Sequence, residues 1–195
     1  MLKIFDKLKH YIHLTDTGQL GQRYFVIGAF DGALTVLGMI LASYFTGSLS
    51  PSFIIPAAIG ATVALGLSSA WGAYEAERVV QRQELKHLEK HVMRSMDDTL
   101  HEKASRFAVI WGAFVHGIAP VPAALLPVLS FLVVPPLSID IAFQISVGIT
   151  LAFLFFLGVY LAKIGKMNKW TTGARLVFAG IITALFCLVI GAVAH

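Results

Sequence analysis

The sequence predicts an all-α membrane protein with five transmembrane helices. Its 195 residues are 57% hydrophobic and 13% charged, with a mean hydropathy of +0.77, whereas soluble domains contain about a quarter charged residues. Spanning a bilayer takes about 20 mostly apolar residues, and five stretches reach that length. They are residues 24–45, 53–74, 107–132, 140–162 and 174–194. The chain between them is too short for a separate soluble domain, so a helical bundle is expected.

The segment before the first span, residues 1–22, has the pattern of a short helix lying on the membrane surface. Apolar side chains recur there at helical spacing, opposite several lysines. The apolar set is Ile4, Phe5, Leu8, Tyr11 and Ile12. A cleaved signal peptide is not expected, because the segment lacks a continuous apolar core.

The distribution of positive charge predicts the orientation. All 15 Lys and Arg residues precede span one, lie between spans two and three, or lie between span four and the first turn of span five. Because cytoplasmic loops retain positive residues, we expect a cytosolic N-terminus and a C-terminus outside. This pattern accounts for the net charge of +4 without nucleic acid, for which no aromatic-basic platform is present. The single cysteine, Cys187, excludes an internal disulfide.

Asp31 lies well inside the first predicted span, where an ionised carboxylate costs on the order of 3 kcal/mol. Two interpretations remain open: a structural hydrogen bond to a neighbouring helix, or a site for a cation or proton. Gly28 and Gly32 flank it at a spacing that lets another helix approach closely. Thr35 and Met39 follow one and two turns later, as further pathway residues or as ordinary packing.

Polar residues also mark the second and third spans. Glu75 and Glu77 lie at the cytosolic end of span two, as metal ligands or as the polar end of a helix. In span three, His116 precedes Pro120 by one turn, and two more prolines follow. Proline interrupts helical hydrogen bonding, and in a membrane the freed carbonyls must be satisfied by protein or line a cavity. A permeation pathway with an imidazole is one reading of this span, and a packing histidine is the other.

The segment from 75 to 106 contains neither Gly nor Pro and is expected to be helical. On a helical wheel, acidic and imidazole side chains lie opposite the basic ones. The first group is Glu77, Glu84, His87 and His91. Imidazole and carboxylate ligands suit Fe²⁺, Mn²⁺ or Zn²⁺, so a metal-binding face is one interpretation. A solvated helix with charge pairs is the alternative.

This segment must fold back on itself. A straight helix of its length would end nearly 50 Å from its start, yet spans two and three meet the same membrane face. Ser95 and Asp98 resemble a helix start, which places the turn between two arms of a hairpin. Asp98, His101 and Glu102 would then lie on the returning arm and face the first group.

Three segments resemble the vacuolar iron transporter family. Residues 28–35, Gly-Ala-Phe-Asp-Gly-Ala-Leu-Thr, look like its first-span motif G-A-x-D-G-x-x-[TS]. Residues 68–74 are similar to its small-residue segment ending in Gly-Glu-Tyr, and residues 173–176 look like the opening of its last span. The resemblance covers nearly all of the chain.

The resemblance implies a homodimer that exports Fe²⁺ or Mn²⁺ from the cytosol in exchange for protons, with Co²⁺ and Zn²⁺ as further candidate substrates and no permanently bound cofactor. Asp31 matches the pathway aspartate of the family. Two departures stand out: Ala73 replaces the glutamate of Gly-Glu-Tyr, so that Glu75 or Glu77 would have to substitute, and the cytosolic insert is short. We therefore expect a reduced prokaryotic branch that acts in the cell membrane.

The resulting prediction divides the chain into a surface helix (1–22), spans one and two (23–74), a metal-binding hairpin (75–106) and spans three to five (107–195). The predicted pathway residues are Asp31, Thr35, Met39, Glu75 and His116. The predicted metal ligands of the hairpin are Glu77, Glu84, His87, His91, Asp98, His101 and Glu102. The alternative function is a non-transporting metal sensor or scaffold. An enzyme is not expected, because no nucleophile with its base is evident.

Overall fold

The computed structural model describes residues 17–93, 95–96, 99–134 and 138–193. In these ranges the chain forms six α-helices and one short 3-10 segment, Leu129–Val133. The helices are α1 (Thr17–Phe45), α2 (Pro51–Val92), α3 (Leu100–Ile118), α4 (Pro120–Val128), α5 (Ile139–Ile164) and α6 (Lys169–Val193). Among the described residues, five stretches are long and apolar enough to cross a membrane, the third being Leu100–Val133. The predicted all-α architecture with five spans is confirmed.

The first two helices are longer than the spans predicted from hydropathy. Helix α1 includes residues 17–22 of the expected surface segment, and residues 1–16 lie outside the described part. Helix α2 has 42 residues, about 63 Å at 1.5 Å per residue. Because that is roughly twice the hydrocarbon thickness, one continuous helix supplies both the second span and the first arm of the hairpin.

The hairpin turn lies where the sequence predicts it, between Val92 and Leu100. Met93 has a φ of +53°, in the left-handed region that ends a helix. The cap of α3 is Thr99, which directly follows the predicted helix start at Ser95 and Asp98, and Asp98 itself is outside the described residues. The Thr99 Oγ1 accepts from the Glu102 N–H at 3.4 Å and donates to the Met96 carbonyl at 2.6 Å. A side-chain oxygen at this position satisfies a backbone donor of the first turn.

Prolines break the third span into two helices. Helix α3 ends at Ile118 and α4 begins at Pro120, whose missing N–H and restricted φ suit the first helical position. Pro127 lies inside α4, and the 3-10 segment follows directly. The Ser130 hydroxyl lies within hydrogen-bonding distance of the carbonyls of Pro127 (2.9 Å) and Ala142 (3.0 Å). The broken span is thereby connected to α5.

The chain divides into two compact units. Unit 1 comprises Met1–Phe25 and Gly66–Ile118, and unit 2 comprises Val26–Leu65 and Ala119–His195. Unit 2 has a hydrophobic core built from α1, α2, α4, α5 and the 3-10 segment. Its buried members are Val36, Ile40, Ile54, Ala58, Ala124, Val128, Phe131 and Ala142. In unit 1, α1, α2 and α3 contribute the buried side chains described below.

Glycines allow α5 and α6 to approach closely in unit 2. A methyl group at position 158 would lie 2.7 Å from both the Gly173 Cα and the Thr172 carbonyl oxygen. A methyl group at position 173 would lie 2.7 Å from the Phe155 ring. In a membrane, where apolar burial drives helix association weakly, such close packing is a main source of attraction.

We predict that Gly158→Ala destabilises the protein by about 1–3 kcal/mol, because the added methyl group must displace the backbone of α6. The matched control is Gly148→Ala on the same helix, where a methyl group would meet nothing within 4 Å. Unfolding in mixed micelles, followed by tryptophan fluorescence, measures both variants. Equal stabilities of the two variants would contradict the close contact.

Candidate functional site

A buried carboxylate stands at the centre of a polar cluster in unit 1. Glu77 of α2 is 3% exposed. Its Oε2 accepts a hydrogen bond from the Tyr24 hydroxyl at 3.1 Å, and its Oε1 accepts one from the Gln81 amide at 2.9 Å. Glu77 and Gln81 are neighbours because they lie four residues apart on one helix face. Both oxygens of the carboxylate therefore have a donor, which a buried acid requires.

The imidazole of His116 contacts this group through the ring of Tyr24. The ring centroids of Tyr24 and His116 are 5.0 Å apart. Gly112, one turn before His116 on α3, provides the space for the tyrosine, because a methyl group there would lie 3.0 Å from Tyr24 Cε2. We call Tyr24, Glu77, Gln81 and His116 the Tyr24 cluster. It connects α1, α2 and α3 within unit 1.

The chemistry of the Tyr24 cluster suits both protons and cations. A carboxylate and an imidazole are ligands for divalent first-row metals, and an imidazole ordinarily titrates in the physiological range. The phenol donates a hydrogen bond to the carboxylate and can keep it oriented. The arrangement can hold a proton or contribute ligands to a passing cation.

Asp31 lies in unit 2, half-buried on α1. Within the described residues it has no hydrogen bond or ion pair. Thr35, one turn on, is exposed, as is Ile27, one turn before, at 43%. Met39 instead packs against the hydrophobic core. The face of α1 that carries Asp31 is therefore left partly uncovered by the single chain.

Close packing explains why a glycine, Gly32, follows Asp31. A methyl group at Gly32 would lie 2.7 Å from the carbonyl oxygen of Pro120 and 2.8 Å from its Cα. The start of α4, where the third span is broken, therefore contacts the backbone of α1 at the residue after Asp31. Pro120 and Pro122 provide no N–H groups, so carbonyls one turn before them lose their helical donors. The residue that follows Asp31 thus packs against the first turn of α4 within unit 2.

The remaining predicted ligands lie on the hairpin and are mostly exposed. Glu75 is exposed, 3.8 Å from Arg78 in a surface pair, a kind that contributes little. The exposed predicted ligands also include Glu84, His87, His91 and His101. The rings of His87 and His91 lie 4.6 Å apart, and His91 Nδ1 is 2.8 Å from the His87 carbonyl oxygen. Asp98 is outside the described residues.

Glu102 is committed to another partner, since its Oε1 lies 2.6 Å from Arg106 Nη2. Among the residues that the structure describes, no three His, Cys, Asp or Glu side chains come together as a metal site. The side of α2 that faces the returning arm also differs from the expected one. The cavity between the arms is lined by the basic side of α2, and Glu84 and the histidines lie on the opposite side. The apolar Leu85 and Val109 lie on that inner side, so burial of apolar surface orients the arms.

The sequence interpretation named Glu77 and His116 but assigned them to separate sites, and it missed Tyr24 and Gln81. The spacing of Glu77 and Gln81 is a signal that sequence carries, because i,i+4 carboxylate–amide pairs hydrogen-bond on helices. The contact between Tyr24 and Glu77, 53 residues apart, has no comparable local signal.

Two comparisons with known proteins place the chain among its relatives. A family model described as the VIT family matches residues 75–192, a range that includes Glu77 and His116. The chain is also 34% identical over 194 residues to an uncharacterized protein of Methanocaldococcus jannaschii. That similarity covers 97% of this chain and 98% of the relative.

We predict that Tyr24→Phe lowers the free energy of unfolding by about 1–3 kcal/mol, because it deprives the buried Glu77 carboxylate of a donor. The matched control is Tyr44→Phe, which keeps the stacking of that ring on Phe143 at 3.9 Å between centroids. Denaturation in micelles measures both. In a Glu77→Ala background the loss should largely disappear, and a loss of the same size there would show that the hydrogen bond is not its cause.

Proposed function

Because the chain belongs to the VIT family, whose members transport metal ions across membranes, we propose that this integral membrane protein exports Fe²⁺ or Mn²⁺ from the cytosol in exchange for protons. The observation that carries the proposal is Asp31, a half-buried carboxylate without a described partner inside a membrane span. Holding such a group in lipid costs several kcal/mol, and these residues commonly mark an ion pathway.

Glu77 is proposed as the second carboxylate of the pathway. Ala73 occupies the position where the resemblance implies a glutamate, and it is buried at 5% exposure. Glu77 follows four residues later, on the same face of α2, and it is buried with Tyr24 and His116 nearby. Glu75 is exposed and offers no comparable environment. The carboxylate function would thus be displaced by one helical turn.

Proton coupling follows from the nature of these ligands. An ionised carboxylate binds M²⁺, whereas a protonated one does not, so metal binding and proton binding exclude each other. Protons that enter from the acidic side displace the metal, and the metal reloads the site after the protons leave toward the cytosol. In this scheme His116 accepts or donates a proton next to Tyr24.

A homodimer is proposed because a second copy would shield the side of α1 that carries Asp31 from lipid. In a single chain, Asp31 and the exposed Thr35 would meet lipid together with Ile27. Pairing the same face of two copies gives an isologous contact and encloses two aspartates in a shared path. From the distribution of basic residues we propose that the N-terminus and the hairpin are cytosolic, and that the membrane is the prokaryotic cell membrane.

The hairpin as a metal-collecting element stays a prediction. His87 and His91 lie close enough for one ion to bind both, but the described residues add no third ligand to them. A non-transporting metal sensor or scaffold is the second candidate function, favoured by Ala73 and by the short cytosolic insert.

We predict that Asp31→Asn reduces Fe²⁺ and Mn²⁺ flux into proteoliposomes by about tenfold or more, because losing one charged ligand removes at least about 1.4 kcal/mol of cation stabilisation. An imposed pH gradient drives the assay, and chromatography shows that the variant still folds. The matched control is Asp140→Asn, since Asp140 is an exposed acid in the first turn of α5. Undiminished flux in the Asp31 variant would reject the pathway, and metal binding without flux in the wild type would favour the sensor.

We predict that Thr35→Cys cross-links two copies in liposomes. Replacing Cys187, the single cysteine, by Ala provides the background. A disulfide needs Cα atoms within about 7 Å, a distance that equivalent residues meet near a two-fold axis. The control is Phe178→Cys on α6, 62% exposed, which should form no disulfide between copies. A gel that resolves one from two 21.1 kDa chains reads the result, and equal cross-linking at both positions would contradict an interface on α1.

A further inference from the structure

The inner side of the hairpin encloses a cavity of about 430 Å³ in unit 1. It lies between the end of α2 and the start of α3, and we call it the hairpin cavity. Its volume is in the range of sites that hold small molecules. Gln81 of the Tyr24 cluster lines it, but none of the carboxylate or imidazole side chains proposed for the cation pathway does, so its function is a separate question.

Basic side chains dominate the polar lining. Arg78, Arg82 and Lys86 follow one another at intervals of four residues on α2, and Arg106 lines the cavity from α3. Residues at this spacing occupy one helix face, where like charges destabilise each other unless a counter-ion is present. A row of three cations facing a fourth across a cavity favours an anion.

Carboxylates neutralise this row only in part, because the lining carries four cations and two carboxylates, and Glu75 outside the lining pairs with Arg78 alone at 3.8 Å. Glu102 is paired with Arg106 at 2.6 Å, and Glu89 accepts the Met96 N–H at 2.9 Å. Within the described ranges, Arg82 and Lys86 have no hydrogen bond or ion pair. The cavity therefore retains positive charge on α2.

The rest of the lining suits a ligand with a polar and an apolar part. Ser105 provides a hydroxyl group, and Leu85 and Val109 provide apolar surface. Arginine pairs with phosphate oxygens in bidentate fashion, and lysine binds them as a point charge. We infer that the hairpin cavity binds a phosphate-bearing anion.

Two sources could supply this group: the headgroup of an anionic phospholipid, or phosphate free in solution. Basic clusters next to the cytosolic end of a membrane span bind anionic headgroups, and α3 leads directly from the cavity into the third span. The inference does not rest on metal transport, so each can fail without the other.

The experiment measures binding to the full-length protein in two arms. In the first, native mass spectrometry follows retention of phosphatidylglycerol in competition with phosphatidylcholine. In the second, calorimetry titrates inorganic phosphate against chloride at matched ionic strength. Saturable binding in either arm supports the inference and identifies the source, and saturable binding in neither arm overturns it.

Variants test the location of the site. Arg82→Gln combined with Lys86→Gln should weaken binding about 30-fold, the factor that corresponds to about 1 kcal/mol for each removed charge. The matched control is Lys90→Gln, an exposed cation on the same arm that does not line the cavity. Equal weakening by the double variant and the control would overturn the assignment to the cavity.

A third variant gives the opposite sign and therefore cannot be explained by misfolding. Glu102→Gln removes a negative charge from the lining and releases Arg106. It should tighten binding about fivefold, again at about 1 kcal/mol per charge. Weaker binding of this variant would contradict an anion in the hairpin cavity.

Discussion

Keeping carboxylates within a largely apolar helical protein is the constraint on which this structure depends. The carboxylate of Glu77 is stabilised within unit 1, because the Tyr24 phenol and the Gln81 amide donate hydrogen bonds to its two oxygens. Neighbouring helices bury this side chain. Asp31 has no such partners among the described residues and lies on a half-open face of α1. A charge that the single chain leaves uncompensated in a bilayer is costly. The cation pathway and the homodimer proposed above both compensate that charge.

Close approach of helix backbones at glycine residues also shapes the structure. At Gly32 the start of α4 contacts α1, and in unit 1 a methyl group at Gly66 would lie 2.7 Å from the Gly117 carbonyl oxygen. Without strong apolar driving force in lipid, helices associate through such contacts. The prolines that break the third span leave α4 as a separate helix that starts beside Gly32, the residue after Asp31. The small residues are therefore part of how the candidate site is built.

The spans, the break at the prolines and the hairpin turn could be predicted because each depends on local features. Apolar length, missing N–H groups and loop geometry are properties of contiguous residues. Helix α1 already contains residues 17–22, outside the predicted span, and α2 runs without interruption to Val92, since helices extend beyond the apolar core wherever nothing interrupts them. The inner side of the hairpin was missed: a helical wheel separates two faces but does not say which one is covered.

The sequence by itself determined the class of the protein, its five spans and the presence of an acid in the first of them, because hydropathy sums over neighbours along the chain. The tertiary structure alone decided that Glu77 is paired with Tyr24, that His116 joins them, and that the basic side of the hairpin faces inward. These contacts join residues far apart in the chain. Their formation depends on side-chain volume and helix packing, which no local pattern encodes.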